Sequence, residues 1–215
     1  MGRNGVFRKF FETGNVPSFI LWGPPGVGKT TLAKIVATQL ERPFFTLSAV
    51  TAAVTEVREG IESAKLQRIF DAKPPYLFID EIHRFNKSQQ DSLLSAVEQG
   101  VVTLIGATTE NPSFEVISPL LSRCQVYTLR PMEDADLQRL LDRALTTDTE
   151  LRTRDIEVRE TAALFKFSGG DARKLLNILD ILVGATEGKI TLTDRYVTDC
   201  LQQNIALYDK QGEQH

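Results

Sequence analysis

Residues 23–31 read Gly-Pro-Pro-Gly-Val-Gly-Lys-Thr-Thr, and they separate a short apolar run from a segment with helical periodicity. The apolar run is residues 19–22, and Leu32, Ile35 and Val36 recur at helical spacing after the glycines. A glycine-rich turn between a predicted strand and a predicted helix is the context in which proteins build a phosphate-binding loop. The run therefore favours an α/β fold with a parallel sheet.

The residue types in this loop suit a nucleoside triphosphate with magnesium. Gly23, Gly26 and Gly28 let the backbone turn tightly and approach an anion, and the following helix adds the positive end of its dipole. We expect Lys29 to reach the β- and γ-phosphates and Thr30 to hold Mg²⁺ through its hydroxyl. The whole run is expected to line the phosphates: Gly23, Pro24, Pro25, Gly26, Val27, Gly28, Lys29, Thr30 and Thr31.

A second apolar run, residues 76–79, ends in Asp80 and Glu81. Ligands of open α/β sheets bind at the carboxyl ends of the strands, so these carboxylates are placed for chemistry. Asp80 is predicted to hold Mg²⁺ from its second shell, and Glu81 to orient and polarise an attacking water. A strand that ends in a solvated acidic turn is the simpler alternative, but together with the glycine loop the pair completes one site.

Three polar residues follow the next apolar run, residues 102–105. Thr109 is our choice for a contact with the γ-phosphate or the attacking water, with Thr108 and Asn111 as alternatives. Either hydroxyl could instead cap a turn.

Two arginines stand apart from these segments. Arg123 precedes the last apolar run, and Arg173 lies in the first turn of a predicted helix, where a cation opposes the helix dipole. A nucleotide phosphate would relieve that charge, whereas a salt bridge to Asp171 or Asp180 is the ordinary explanation. We predict a catalytic role for both arginines.

The composition limits the class of protein. A net charge of −3 over 215 residues argues against a protein that coats nucleic acid by charge alone. Two cysteines, Cys124 and Cys200, provide no disulfide framework, which favours a reducing intracellular compartment. We find no apolar stretch long enough to span a bilayer and no apolar signal core, so we expect a cytoplasmic protein with no membrane partner.

The apolar runs and helical patterns alternate up to residue 130. The predicted fold is a five-stranded parallel sheet flanked by helices, followed by a small all-α domain. We expect a nucleotide-binding α/β domain over residues 1–130, a helical lid domain over 131–205 and a polar tail over 206–215. The predicted strands are residues 19–22, 44–47, 76–79, 102–105 and 126–129. The predicted helices are residues 30–40, 55–70, 86–99, one around 137–144, 161–167, 171–183 and 193–201.

These pieces, in this order, resemble an AAA+ ATPase. The run Asp-Glu-Ile-His-Arg-Phe-Asn-Lys-Ser-Gln-Gln-Asp at 80–91 and the run Leu-Ile-Gly-Ala-Thr-Thr-Glu-Asn-Pro-Ser-Phe-Glu at 104–115 are similar to the RarA/MgsA group. That group contains the replication-associated recombination protein A family and is related to the Werner-helicase-interacting ATPase.

The resemblance implies a role for each candidate residue. Lys29 and Thr30 match the Walker A pair, and Asp80 and Glu81 match the Walker B pair. Thr109 matches sensor 1, and Arg173 matches sensor 2 on the lid. Arg123 matches the arginine finger, which acts on a neighbouring subunit. The resemblance also implies ATP and Mg²⁺ as ligands, and a DNA-stimulated ATPase at stalled or gapped replication forks. The implied partners are forked DNA or single-strand/double-strand junctions, single-strand-binding protein and further copies of the chain, in the cytoplasm and at the nucleoid.

Two departures from the group are expected to matter. Only residues 1–18 precede the first strand, without the Arg-Pro and Gly-Gln elements that help hold adenine, and the chain ends about where an oligomerisation domain would begin. We therefore expect a fragment that holds the ATPase core and lid.

Two alternatives to a DNA-stimulated ATPase stay open: a nucleotide-gated scaffold with incidental hydrolysis, and a clamp-loader or branch-migration subunit. His83 is expected to be a packed or solvent-edge histidine rather than a metal ligand.

Overall fold

The five predicted strands form one parallel sheet. The computed structural model describes residues 6–49, 54–68 and 73–202. The sheet strands are β1 (Phe19–Trp22), β2 (Phe44–Ser48), β3 (Tyr76–Asp80), β4 (Thr103–Thr108) and β5 (Gln125–Thr128), in the spatial order β2-β3-β4-β1-β5. The three central strands are almost wholly buried, whereas β2 and β5 at the edges are partly exposed. This is the expected burial of a parallel sheet covered on both faces.

Helices cover the sheet on both sides. They are α1 (Val6–Thr13), α2 (Lys29–Gln39), α3 (Val54–Arg68), α4 (Lys87–Glu98), α5 (Pro112–Glu115) and α6 (Ser118–Leu121), with a 3₁₀ turn over Ile82–Arg84. Alternate strand residues enter two apolar clusters: Ile20, Leu77, Ile79 and Leu104 pack with α3 and α4, and Phe19, Leu21, Phe78 and Ile105 pack with α1 and α2. Alternation within each strand thus anchors the sheet between two helical layers.

Local signals in the sequence place several helix ends. Asn86 accepts from the backbone N–H of Gln89, and the Gln89 side chain accepts from that of Asn86, so a capping box is present at the start of α4. Gly100, just past that helix, has a φ of 63°. Gly60 does not interrupt α3, which runs through it to Arg68. The last two residues predicted for that helix, 69 and 70, lie outside the described part of the chain.

The described chain divides into two compact units. One contains residues up to 24 and residues 28–129, and the other contains residues 25–27 and those from 130 onward. In the second unit the helices are α7 (Asp134–Thr147), α8 (Ala162–Ser168), α9 (Ala172–Gly184) and α10 (residues 194–202), with a 3₁₀ turn over Leu151–Thr153. Leu141, Leu175, Leu179, Leu182 and Val197 are all fully buried in its core.

The prediction of an all-α second domain is wrong in one respect. Strands β6 (Ile156–Val158) and β7 (Ile190–Leu192) pair in parallel as a separate two-stranded sheet. Each strand has only three residues, and its pattern was too short to stand out among the helices. The predicted polar tail, residues 206–215, lies outside the described part of the chain. No helix within the described ranges is long and apolar enough to cross a membrane.

Candidate functional site

The register of the central strands brings three predicted segments to one edge of the sheet. Trp22, the last residue of β1, lies opposite Thr108, the last residue of β4. The backbone N–H of Gly23 donates to the carbonyl oxygen of Thr108 at 3.2 Å. Strand β3 is the other neighbour of β4, so Asp80 ends at the same edge. The start of the glycine loop, the acidic pair and the Thr108–Thr109 segment therefore adjoin.

The loop glycines are needed for two different reasons. Gly26 and Gly28 have φ values of 69° and 90°, in the left-handed region that residues with a Cβ rarely adopt. A Cβ on Gly23, by contrast, would lie 2.5 Å from the carbonyl oxygen of Leu129. Gly23 is therefore required by space, and Gly26 and Gly28 are required by backbone conformation.

Lys29 is the first residue of α2 and is buried, with 8% of its surface exposed. Its Nζ donates to the carbonyl oxygens of Gly23 at 2.7 Å and Pro24 at 2.9 Å, so the ammonium group lies inside the bend of the loop. Gly28 is the N-cap and provides no side-chain cap, so no capping side chain competes for the first N–H groups of α2. The next two residues are Thr30, which is partly buried, and Thr31, which is exposed. A positive helix start beside a buried ammonium group suits a phosphate chain.

The second residue of the acidic pair, Glu81, is held in an unusual backbone conformation. Glu81 has φ 55° and ψ 48°, a left-handed geometry that for a residue with a side chain costs on the order of 1–3 kcal/mol. The sharp turn starts the 3₁₀ segment after β3. It also brings the carboxylate to Thr109, whose hydroxyl donates to Glu81 Oε2 at 3.3 Å. Strained residues of this kind cluster at functional sites, which supports a role for Glu81.

The structure separates the three candidates that follow β4. Thr108 is fully buried, and its hydroxyl bonds both the N–H and the carbonyl oxygen of Glu110, so it caps a turn. The Asn111 side chain accepts from the N–H of Ser113 and caps α5. Only Thr109 among the three bonds Glu81. This geometry favours our choice of Thr109, and its role as a sensor stays a prediction.

The two arginines lie in different units. Arg123 is exposed, and its guanidinium group lies 2.5 Å from Glu98 Oε1 and donates to the carbonyl oxygen of Pro119 at 2.8 Å. Arg173 lies in the first turn of α9 and is also exposed. Among the described residues it forms no ion pair with Asp171 or Asp180; Asp171 instead caps α9 by accepting from the N–H of Lys174. The ordinary explanation for Arg173, a local salt bridge, therefore has no support within its unit.

No pattern in the sequence indicates a function for His83, and the structure places it beside Glu81. Its Nδ1 lies 3.2 Å from Glu81 Oε2 and 3.0 Å from Thr108 Oγ1. The signal available in the sequence was its position two residues after Glu81, but the spacing gave no reason to expect the chain to fold back. The 3₁₀ turn produces that return.

A glycine loop that leads from a central strand into a helix, with paired carboxylates at the end of a nearby strand, is the architecture of the P-loop nucleoside triphosphatases. Sequence comparison narrows this class. Residues 19–132 match the ATPase family associated with various cellular activities (AAA), and residues 151–215 match the AAA C-terminal domain. The chain belongs to the AAA family.

Individual relatives agree with the resemblance seen in the two long sequence runs. The chain is 42% identical to the replication-associated recombination protein A of Escherichia coli K12, over 94% of this chain and 46% of that protein. It is 40% identical to the protein of that name from Haemophilus influenzae, over 99% of this chain and 49% of that protein. It is also 40% identical to the ATPase WRNIP1 of Dictyostelium discoideum, over 97% of this chain and 26% of that protein. The resemblance to the RarA group is confirmed, and the chain spans at most about half the length of these relatives.

A solved structure shares the fold. It is the RuvB Holliday junction branch migration motor of Thermotoga maritima, with a TM-score of 0.70 and 28% identity, over 91% of this chain and 65% of that one. The predicted class, a parallel AAA+ sheet with flanking helices and a helical region after it, is confirmed.

Proposed function

We propose that this chain is the ATPase core of a motor that acts on DNA in replication-associated recombination, with ATP and Mg²⁺ as ligands. The single observation that carries the proposal is the meeting, at one sheet edge, of the glycine loop and the Glu81–Thr109 pair. Membership of the AAA family supports nucleotide binding. The names of the relatives support the setting in replication and recombination.

The residues at this edge fit the ligands. Mg²⁺ prefers oxygen ligands: the Thr30 hydroxyl would bind it directly, the Asp80 carboxylate would hold it from its second shell, and the ion would neutralise charge on the phosphate oxygens. Lys29 would bind the β- and γ-phosphates with its ammonium group. Backbone N–H groups over residues 23–31 would receive the remaining phosphate oxygens.

In the proposed reaction, water attacks the γ-phosphorus, the bond to the β–γ bridging oxygen breaks, and ADP and inorganic phosphate leave. Glu81 orients the water and draws on its proton, and Thr109 holds the carboxylate and senses the γ-phosphate. Arg123 would act on the nucleotide of a neighbouring copy, because it is exposed and its present partner, Glu98, is also on the surface. Arg173 would contact the phosphates from a lid domain.

The domain assignment and the partners belong to this proposal. We assign residues 1–130 to nucleotide binding, 131–205 to the lid and 206–215 to a polar tail. The proposed partners are forked DNA or single-strand/double-strand junctions, single-strand-binding protein and further copies of the chain. The proposed location is the cytoplasm, at the nucleoid.

The test is ATP turnover with and without forked DNA, measured on the chain and on two variants. Glu81→Gln and Arg123→Ala should each be nearly inactive alone. Mixed in equal amounts they should recover part of the activity, because some neighbouring pairs then combine an intact Glu81 with an intact Arg123. Arginine fingers contribute roughly 10³–10⁵ in rate in related enzymes, so the recovery is measurable.

The possible outcomes separate the alternatives. No turnover by the unchanged chain with or without DNA, combined with tight ATP binding, would favour a nucleotide-gated scaffold. Turnover that persists in Arg123→Ala would contradict the role of that arginine in trans.

Branch migration is a second candidate function, because the RuvB motor shares both fold and 28% identity with this chain. Comparing stimulation by a four-way junction with stimulation by a fork decides between the two. Stronger stimulation by the junction would favour branch migration.

A further inference from the structure

The carboxylate of Glu81 belongs to a hydrogen-bonded chain that runs through His83 to the end of β4. His83 Nδ1 lies within hydrogen-bonding distance of Glu81 Oε2, at 3.2 Å, and of Thr108 Oγ1, at 3.0 Å. We propose that His83 is a positioning residue for ATP hydrolysis: its Nδ1–H fixes one oxygen of Glu81 and leaves the other to hold the attacking water. The catalytic part of this inference rests on the proposed function, and the proton assignment does not.

The hydrogen bonds of Thr108 decide where the proton of His83 lies. A threonine hydroxyl has one hydrogen to donate and two lone pairs to accept. Thr108 Oγ1 donates to the carbonyl oxygen of Glu110 at 3.1 Å and accepts from the N–H of Glu110 at 3.0 Å. With both of these bonds made, only one lone pair is left for His83, and the neighbouring Glu81 carboxylate oxygen also accepts only, so we assign the hydrogen to Nδ1. The same N–H lies close enough to Glu81 Oε2 to be shared between the two oxygens.

The two oxygens of Glu81 therefore differ. Oε2 receives the His83 N–H and the Thr109 hydroxyl, at 3.2 and 3.3 Å. No side-chain donor among the described residues bonds Oε1. Two donors on one oxygen restrict rotation of the carboxylate, so Oε1 is the oxygen available to accept a hydrogen bond from water. A single fixed acceptor is what orientation of a nucleophilic water requires.

The hydrogen bonds that hold the Glu81 carboxylate are partly shielded from solvent. The side chains of His83 and Glu81 are only 14% and 29% exposed, so water competes weakly for these hydrogen bonds. Thr108, at the far end of the chain, is fully buried, and its carbonyl oxygen accepts from the N–H of Gly23. One residue of β4 thus fixes both the first residue of the glycine loop and, through His83, the carboxylate. The relative placement of phosphate and water depends on that shared residue.

The proton assignment is tested by nuclear magnetic resonance. The chain has two histidines, His83 and His215, so a long-range ¹H–¹⁵N spectrum at alkaline pH contains two imidazole patterns, and His215→Ala identifies them. We expect the Nδ1–H tautomer for His83. The Nε2–H tautomer would overturn the inference, because Nδ1 would then have no hydrogen to donate to Glu81.

Kinetics test the positioning role with a matched pair of amides. In His83→Asn the amide nitrogen takes the place of Nδ1, and in His83→Gln it takes the place of Nε2. We expect kcat to fall about 10- to 100-fold in His83→Ala and His83→Gln, as for other residues that orient a reacting group. His83→Asn should keep most of the rate. Calorimetry with Mg·ATP should show affinity changed less than about twofold in all three, because none of them removes a phosphate contact.

Three results would overturn the role: equal rates in all variants, a preserved rate in Gln with loss in Asn, or a change in Mg·ATP affinity equal to the change in rate. A general folding defect is detected by urea unfolding of each variant, and the comparison of Asn with Gln stays valid because their side chains differ by one methylene. If the unchanged chain hydrolyses no ATP, the proposed function fails, and the tautomer measurement still decides whether the hydrogen-bonded chain exists.

Discussion

Replacing Gly23 by alanine tests whether the glycine loop begins where the structure places it. The added Cβ would lie 2.5 Å from the carbonyl oxygen of Leu129, 3.1 Å from its Cβ and 3.2 Å from its carbonyl carbon. Two of these atoms are backbone, so no side-chain rotation relieves the contact, and either the loop or the end of β5 must move by roughly half an ångström or more. Overpacking of this kind costs about 1–3 kcal/mol. Gly23 has no positive φ, so the whole effect is steric.

The assay is urea unfolding, monitored through the fluorescence of Trp22. This residue is the only tryptophan in the sequence and is the neighbour of Gly23. We expect the free energy of unfolding to fall by about 1–3 kcal/mol. Binding of Mg·ATP should also weaken, because the carbonyl oxygen of Gly23 accepts from Lys29 and would be displaced.

Two other glycines provide controls for the same assay. Gly28→Ala meets no atom within 4 Å but requires a φ of 90°, so its cost, about 1–2 kcal/mol, is backbone strain. Gly184→Ala meets no atom and has no positive φ, so it should not destabilise the chain. Equal stability of Gly23→Ala and the unchanged chain would refute the close approach between the loop and Leu129.

Four further predictions concern single residues. Asn86→Ala removes the capping box of α4 and should cost about 1 kcal/mol in urea unfolding, and no loss would contradict the cap. Phe78→Ala empties a fully buried site between β3 and α2 and should cost about 3–5 kcal/mol in the same assay. Burial raises the pKa of the Cys124 thiol to about 12, so at pH 8 it should react with iodoacetamide far more slowly in the folded chain than in urea. Thr109→Val should lower ATP turnover more than it lowers the affinity for Mg·ATP, and unchanged turnover would contradict the proposed role of Thr109 beside Glu81.

Much of the fold followed from short-range patterns in the sequence. The run Phe19–Trp22 forms β1 without a change in its limits, because four apolar residues before a glycine leave little choice. The cap at Asn86 and the cap at Asp171 were also predictable, since each needs only a side chain and an N–H three residues on. The strand order was not predicted, because adjacency in the sheet is set by long-range packing.

The elements that were missed depend on tertiary contacts. Helix α1 has apolar residues at helical spacing, Phe7, Phe10 and Phe11, but it is only eight residues long, and the rings of Phe7 and Phe10 contact Phe19 and Tyr127. Strands β6 and β7 have three residues each and exist because they pair with one another. Strands of three residues have no local signature that a sequence pattern could reveal.

The candidate site also contains residues that local motifs predict and contacts that depend on the tertiary structure. Residues 23–31, Asp80 and Glu81 were chosen from motifs whose chemistry requires those residue types. The preference for Thr109 over Thr108 needed the hydrogen bonds of both hydroxyls, one to Glu81 and the others to Glu110. The contact of His83 with Glu81 needed the left-handed turn at Glu81, which no residue-type preference predicts.

The most direct test of the account is calorimetric titration of Mg·ATP into the chain and two lysine variants. Lys29 is buried in the loop, whereas Lys34 is exposed on the same helix and provides a matched loss of charge. We expect the unchanged chain and Lys34→Ala to bind one ATP with similar affinity, and Lys29→Ala to bind at least about tenfold more weakly, since a charged hydrogen bond contributes roughly 1.5–3 kcal/mol. Equal binding by all three, or no binding by the unchanged chain, would contradict the claim that this loop holds a triphosphate.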